Sequence, residues 1–388
     1  MKYSSKKTYF AVLFTLFFIP AFIFAESFYS PTFGFRVNLP EGYEYIDGNA
    51  KDRFSFGGPS EAKFDLVVYS GTYPGIKELA GDVNKRLSNR GSVDFFQYRD
   101  KQAAIMQLSF GNSSGWGLCV ELDLPSQQTR ENSGGKRPML LALAYGPASA
   151  QALESFHVSA LDSIVPSGAE QYYPGPVTEW AYPRGNQKQV KIAGASVSAM
   201  IRENDAEAAQ AFVEREYQIL QNYIGTPMLK EAWIRYYRLI FRDSADRVAD
   251  AVAALGKSWG AGSLSGKEGE REFAKKALSY VQGFTYQRDG KGSDFLNLVS
   301  AVTEGRGDCD PRAMLWAMIL ANAEIPAAMM VSPYYSHAMG LADIAGTGAR
   351  FEAYGVKWLV AETTSKVDIG LIAQDLSDPQ YWAGIIFE

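Results

Sequence analysis

From Ala313 to Ala323 the chain reads Ala-Met-Leu-Trp-Ala-Met-Ile-Leu-Ala-Asn-Ala. These residues form helices readily, and they are apolar on nearly every side of the cylinder. A helix with no polar face must be enclosed, so the elements around it have to wrap it. Immediately before it stands Glu304-Gly305-Arg306-Gly307-Asp308-Cys309-Asp310-Pro311. Gly305 and Gly307 let the chain turn sharply. Pro311 suits a first helical position, which predicts Asp310 as the cap. One of only two cysteines therefore falls where a loop becomes a helix. The first-turn N–H groups lack intrahelical partners and the dipole is positive there. Both effects favour a thiolate, the nucleophilic form.

A nucleophile of this kind needs a base. The chain has two histidines, His157 and His337. His157 falls on a helical pattern at 148–164, far from the box, and reads as packed or half-exposed rather than catalytic. His337 follows Ile325-Pro326-Ala327-Ala328-Met329-Met330-Val331, a strand entered through proline, and opens a second apolar run, 338–342. A third strand, Val356 to Ala361, ends at Glu362. If these strands are neighbours, His337 and Glu362 share a face, with the Cys309 helix packed against it. The predicted roles are nucleophile for Cys309, general base for His337 and orienter for Glu362. Asp308 and Asp310 read as cap and electrostatic support. No further acids stand at calcium-loop spacing, so no metal is expected.

Gly307-Asp308-Cys309-Asp310, the apolar helix, Ile325-Pro326, His337 and Glu362-Thr363-Thr364 together resemble the transglutaminase-like superfamily, a papain-like fold. The pattern is most similar to the bacterial branch with a "GDCED" or "GDCDD" box that ends in "ETT". Ala277 to Tyr286 resembles the helix and tyrosine-bearing strand before that box. The likeness covers residues 267–370. It departs from the branch at Pro311 and Arg312, where a second acid and Lys or Ala are common. It implies a cysteine peptidase, amidase or acyltransferase working through an acyl-enzyme on Cys309, without a cofactor. The alternative is a catalytically inactive module of the same fold that binds protein or cell-wall partners.

At the other end, Lys2, Lys6 and Lys7 precede an apolar run from Tyr9 to Phe24 broken by Pro20, with Ala25 before Glu26. This reads as a secretory signal peptide over residues 1–25, too short to span a membrane. The expected location is periplasmic or extracellular. Net charge is −5, and losing a lysine-rich leader makes the remainder more acidic. An acidic chain without a basic patch does not suit nucleic acid. Two cysteines are no disulfide framework, and a Cys119–Cys309 bond would consume the nucleophile. Gly256-Lys257-Ser258 lacks the upstream glycine of a phosphate loop, because Ala251 stands there.

The expected class is α+β. Residues 28–165 alternate as strands at Phe33–Pro40, Phe54–Phe56, Phe64–Tyr69, 103–110, 116–122 and 139–145, with helices at 76–87 and 148–164. This predicts an N-terminal antiparallel α/β sandwich domain, loosely similar to the PsbP type on fold pattern alone. Gln127 to Arg137 reads as an exposed loop. Residues 166–188 read as a linker and 189–259 as a mainly helical region, with Asp205 as a cap. Residues 267–388 form the transglutaminase-like domain. The expected partner is a protein or peptide substrate, or a cell-envelope component.

Overall fold

The computed structural model describes residues 27–123, 136–288 and 292–387. The leader expected over 1–25, and the loop expected at 127–137 except for its last two residues, lie outside these. The architecture is mixed α+β. Among the described residues no helix is long and apolar enough to cross a membrane.

The first large element is a seven-stranded antiparallel sheet. Its strands are β1 (Glu44–Gly48), β2 (Arg53–Gly57), β3 (Lys63–Tyr69), β4 (Val93–Tyr98), β5 (Lys101–Phe110), β6 (Ser113–Glu121) and β7 (Met139–Pro147). They lie in the order β1-β2-β3-β7-β6-β5-β4. Strand side chains alternate between faces, and both faces are apolar here. Phe64 and Leu66 of β3 share a cluster with Leu118, Leu140, Leu161 and Val177. On the opposite face Ala104, Met106, Cys119 and Leu141 meet Ile76, Leu79 and Val83 of helix α1 (Ile76–Arg86). Helices α2 (Glu154–Asp162) and α3 (Pro176–Ala181) cover the first face.

Three local expectations need correction. Phe33–Pro40 is not a full strand. Only Arg36–Val37 pairs, with Phe28–Tyr29, and Phe33, Phe35 and Leu39 bury themselves without a ladder. Residues 166–188 are not a bare linker. Glu170 takes a 2.7 Å ion pair from buried Lys101, and Thr178 donates its N–H to Asp162 at 2.8 Å. Asp205 is not the cap. Asn204 takes that position, and Asp205 is a buried first-turn acid bonded to Arg184 at 2.8 Å and Arg247 at 2.9 Å.

The remainder comprises a hairpin (Gln187–Lys191 with Ser198–Arg202), then α4 (Asp205–Gln221), α5 (Leu229–Arg247), α6 (Ala249–Trp259), α7 (Gly266–Gln282), α8 (Leu298–Glu304) and α9 (Cys309–Asn322). A second antiparallel sheet of five strands follows. It contains β8 (Ala327–Ser332), β9 (His337–Ala342), β10 (Arg350–Ala353), β11 (Val356–Ala361) and β12 (Ala383–Ile386), ordered β10-β11-β9-β8-β12. The helix that is apolar all round is enclosed as its composition demands. α9 packs against α6, α7, α8, β8 and β9. Trp316, Leu315, Ile319 and Leu320 are fully buried, each contributing about 2 kcal/mol. The Trp316 indole N–H donates to the Ala274 carbonyl at 3.1 Å. Gly340 of β9 lies under the Trp316 ring, whose carbons fill the space a side chain would need.

Ion pairs tie α4 to α2 and α5 to α4. Arg215 pairs with Asp162 at 2.7 Å, and Arg235 reaches Glu216 at 2.9 Å and the Asn38 carbonyl at 3.1 Å. The Tyr223 hydroxyl donates to the Glu41 carbonyl at 2.9 Å.

Candidate active site

The loop before α9 is shaped by backbone geometry. Gly305 has φ +67° and Gly307 φ +149°, both in the region that favours glycine. Arg306–Gly307 pairs in parallel with Thr285–Tyr286. Asp308 is extended, and its carboxylate accepts the Asp310 N–H at 3.2 Å. Asp308 is therefore the cap, two residues before the expected Asp310, and Cys309 is itself the first helical residue. Pro311 still falls in the first turn, where its missing N–H costs nothing.

Arg312 fixes this loop from inside. It is 1 % exposed, and its guanidinium donates to Gly307 O at 3.0 Å and to Phe284 O at 2.9 Å. The Arg that departs from the branch pattern is thus a brace for the box.

His337 and Glu362 meet as their strand positions predict. β9 pairs with β11, which puts the head of one strand beside the end of the other. His337 Nε2 and Glu362 Oε2 are 2.8 Å apart. Glu362 Oε1 accepts the Thr364 N–H and hydroxyl, each at 2.6 Å. Gln282 of α7 donates to the Glu362 carbonyl at 2.8 Å, holding the backbone as well. Burial works to raise the Glu362 pKa, but the bonds from His337 and Thr364 outweigh it and the carboxyl is held below its usual range.

Cys309 lies at the junction of α9 and β9. It is 3 % exposed, and the Ala338 N–H faces its sulfur, favouring thiolate. The thiol donates to Asp310 Oδ1 at 3.7 Å. Among the described residues no hydrogen bond joins Cys309 to His337. The electrostatics also reverse the expectation drawn from the helix end. Burial, then the Asp310 and Asp308 carboxylates, push the thiol pKa well up. Asp308 and Asp310 are themselves pushed up, chiefly by burial. They hold the thiol neutral rather than assist its ionisation.

Asp308, Cys309 and Asp310 place three donor atoms within 4.8 Å of one another. Asp308 is the cap, and Asp310 is the thiol's partner.

Residues with no motif to announce them complete the surroundings. Tyr237 of α5, fully buried, sits beside Asp310 and favours its ionised form. Arg288 favours ionisation of both Asp308 and Cys309. The Trp382 ring lies 6.3 Å from the His337 ring. His157 and Cys119, as expected, are buried away from this site, and both cysteines are free.

No family model matches the chain, and neither does any curated protein. A crystal structure of a "putative protease" from Parabacteroides distasonis aligns over 82% of this chain and 68% of its own, at 11% identity and a TM-score of 0.21. A likeness that loose says nothing of activity.

Proposed function

We propose that the chain is an exported transglutaminase-like thiol enzyme acting on peptide or carboxamide bonds. The observation that carries this is the His337–Glu362 pair at 2.8 Å beside the head of α9. Glu362 engages Nε2, so the imidazole's Nδ1 remains for the thiol. His337 takes the Cys309 proton, and the sulfur attacks the carbonyl carbon. The C–N bond then breaks, and His337 returns the proton to the leaving nitrogen. Water, or an amine, releases the acyl group from sulfur. Asp310 N–H is committed to Asp308 and Pro311 has none, which leaves the Cys309 N–H for the oxyanion. The apolar helix gives the nucleophile a rigid mount.

The test is differential alkylation. A thiol-directed reagent should label Cys309 far faster than Cys119, which is fully buried in the first sheet. His337→Ala should abolish the difference. Equal labelling in the unaltered protein counts against the reading.

One observation favours a second reading, the inactive binding module. The thiol is buried, held neutral and bonded to Asp310 rather than to His337. That reading requires Cys309→Ser to leave partner capture unchanged while no substrate acylates the native protein.

A further inference from the structure

We infer that Gln282 is a positioning residue for the proposed reaction: its side-chain amide closes the 362–367 turn and thereby fixes the carboxylate that orients His337. The inference rests on the thiol-enzyme reading above. Glu362 directly follows β11, and the turn after it must return Thr364 to the Glu362 carboxyl. The Thr364 N–H and hydroxyl both donate to Oε1, which leaves Oε2 for His337 Nε2. Which oxygen faces the imidazole therefore depends on where the turn holds Thr364. The turn has little of its own to hold it. Among the described residues its one internal backbone hydrogen bond runs from Val367 N–H to Ser365 O at 2.8 Å, and the buried Thr363 hydroxyl has no partner.

Gln282 supplies the closure from outside. It is the last residue of α7 and is 8% exposed. Its Nε2 donates to Glu362 O at 2.8 Å and to Val367 O at 2.9 Å, one at each end of the turn. A primary amide carries two N–H groups, so both bonds form at once, and with carbonyls as both partners only the nitrogen can face them. Among the described residues Gln282 makes no hydrogen bond to Cys309, His337 or the Glu362 carboxylate, so it acts through the turn. Its own helix is fixed independently. Phe273, Ala277 and Val281 are buried, and Ala274 O takes the Trp316 indole N–H of α9. The helix that aligns the acid is thereby joined to the helix that carries the nucleophile. A misaligned orienter costs rate without removing any reacting group.

The test uses the full chain and p-nitrophenyl acetate. The Cys309 sulfur attacks the acetyl carbonyl, His337 takes the thiol proton and p-nitrophenolate leaves. Loss of the burst in Cys309→Ser assigns it to the thiol. Gln282→Met keeps the side chain's length and removes both donors. The burst rate should fall roughly tenfold to hundredfold, and the acid limb of its pH profile should move to higher pH. The sign follows from Glu362: the Thr364 donors that hold its pKa down are lost, while burial, which raises it, remains. His337 and Arg312 are the charged groups that face Glu362, and Asp308 and Asp310 titrate nearby. The substitution touches none of the four, so the displacement reads Glu362. Gln282→Asn, one methylene short of spanning both carbonyls, should act in the same direction and covers a failure of the Met variant to fold. Leu278→Ala, in the packed face of α7, should lower the melting temperature and leave the limb where it is. No Cys309 burst in the parent overturns the thiol-enzyme reading and this inference with it. A parent burst whose acid limb is unmoved in the Gln282 variants, or moves equally in Leu278→Ala, overturns the inference alone.

Discussion

The Cys309 sulfur and Asp310 Oδ1 stand 3.7 Å apart within one helical turn, so the thiol is bonded to a carboxylate and not to the imidazole. A neutral thiol hydrogen-bonded to an acid is a resting arrangement, and ionising it means placing negative charge beside Asp310 and Asp308. Substituting Asp310→Asn removes one of those repulsions and keeps the side chain's shape. The pH profile of Cys309 alkylation should move to lower pH, with Cys119 as the internal reference. A tenfold faster reaction at fixed pH would correspond to about 1.4 kcal/mol of relieved repulsion. An unchanged profile would mean that burial and Asp308, not Asp310, hold the thiol neutral.

Glu362→Gln should lower the acylation rate by roughly 10²–10⁴-fold while the thiol remains present, because an amide cannot hold the same imidazole tautomer and charge. His337→Ala should lose at least as much. The rate of the p-nitrophenolate burst released from p-nitrophenyl acetate measures both. The same carboxyl contributes to acid stability. Its folded pKa lies below the unfolded value near 4.5, so its contribution is complete above that value. That contribution is lost as pH falls through the depressed folded value. In Glu362→Gln the acid limb of a melting-temperature profile should flatten.

Glu41 carries the opposite pH dependence. It is 5% exposed, its Oε2 has no partner among the described residues, and burial raises its pKa to about 7 despite Arg235. The unfolded chain ionises this group near 4.5, whereas the folded chain keeps the proton until about 7. Stability therefore falls as pH rises between those values, by about 3 kcal/mol at the limit, and is flat beyond. Glu41→Gln should remove that slope. Thermal melts at pH 5 and pH 8 provide the check, and a slope equal to the parent's would rule the assignment out.

Arg312→Ala leaves the Gly307 and Phe284 carbonyls without their guanidinium donor in a buried setting. The expected cost is about 3 kcal/mol, read as a lowered denaturation midpoint. Arg312→Lys should recover little, because an ammonium cannot reproduce the planar fork that spans two carbonyls.

Much of the site was legible because each part sits where a pattern changes. The Gly-Asp-Cys box marks a loop-to-helix junction, His337 opens one apolar run and Glu362 closes another, and strand neighbours then bring the latter two together. The electrostatics of Cys309 were not legible. The helix-end argument counts local dipoles, whereas burial and two nearby carboxylates depend on the packed interior. The cap was misplaced from Asp308 to Asp310 because Pro311 is tolerated anywhere in the first turn, not at its first position alone. In the first sheet β1 and β4 gave no signal. β1 is exposed throughout, and an edge strand without a buried face shows no alternation; β4 is exposed at Asp94, Phe95 and Gln97 and buries only Tyr98, at its end. Gln282, Tyr237 and Arg288 belong to no motif, and only the tertiary arrangement makes them neighbours of the box.

Gly340 lies three residues beyond His337, and Trp316 two turns beyond Cys309. Their contact sets how closely α9, which carries Cys309, can approach β9, which carries His337. The gauge of the site is thus governed by an absent methyl group. Were position 340 to acquire a side chain, the indole would act as a lever and pry sulfur from ring, with Cys309, His337 and Glu362 all still present.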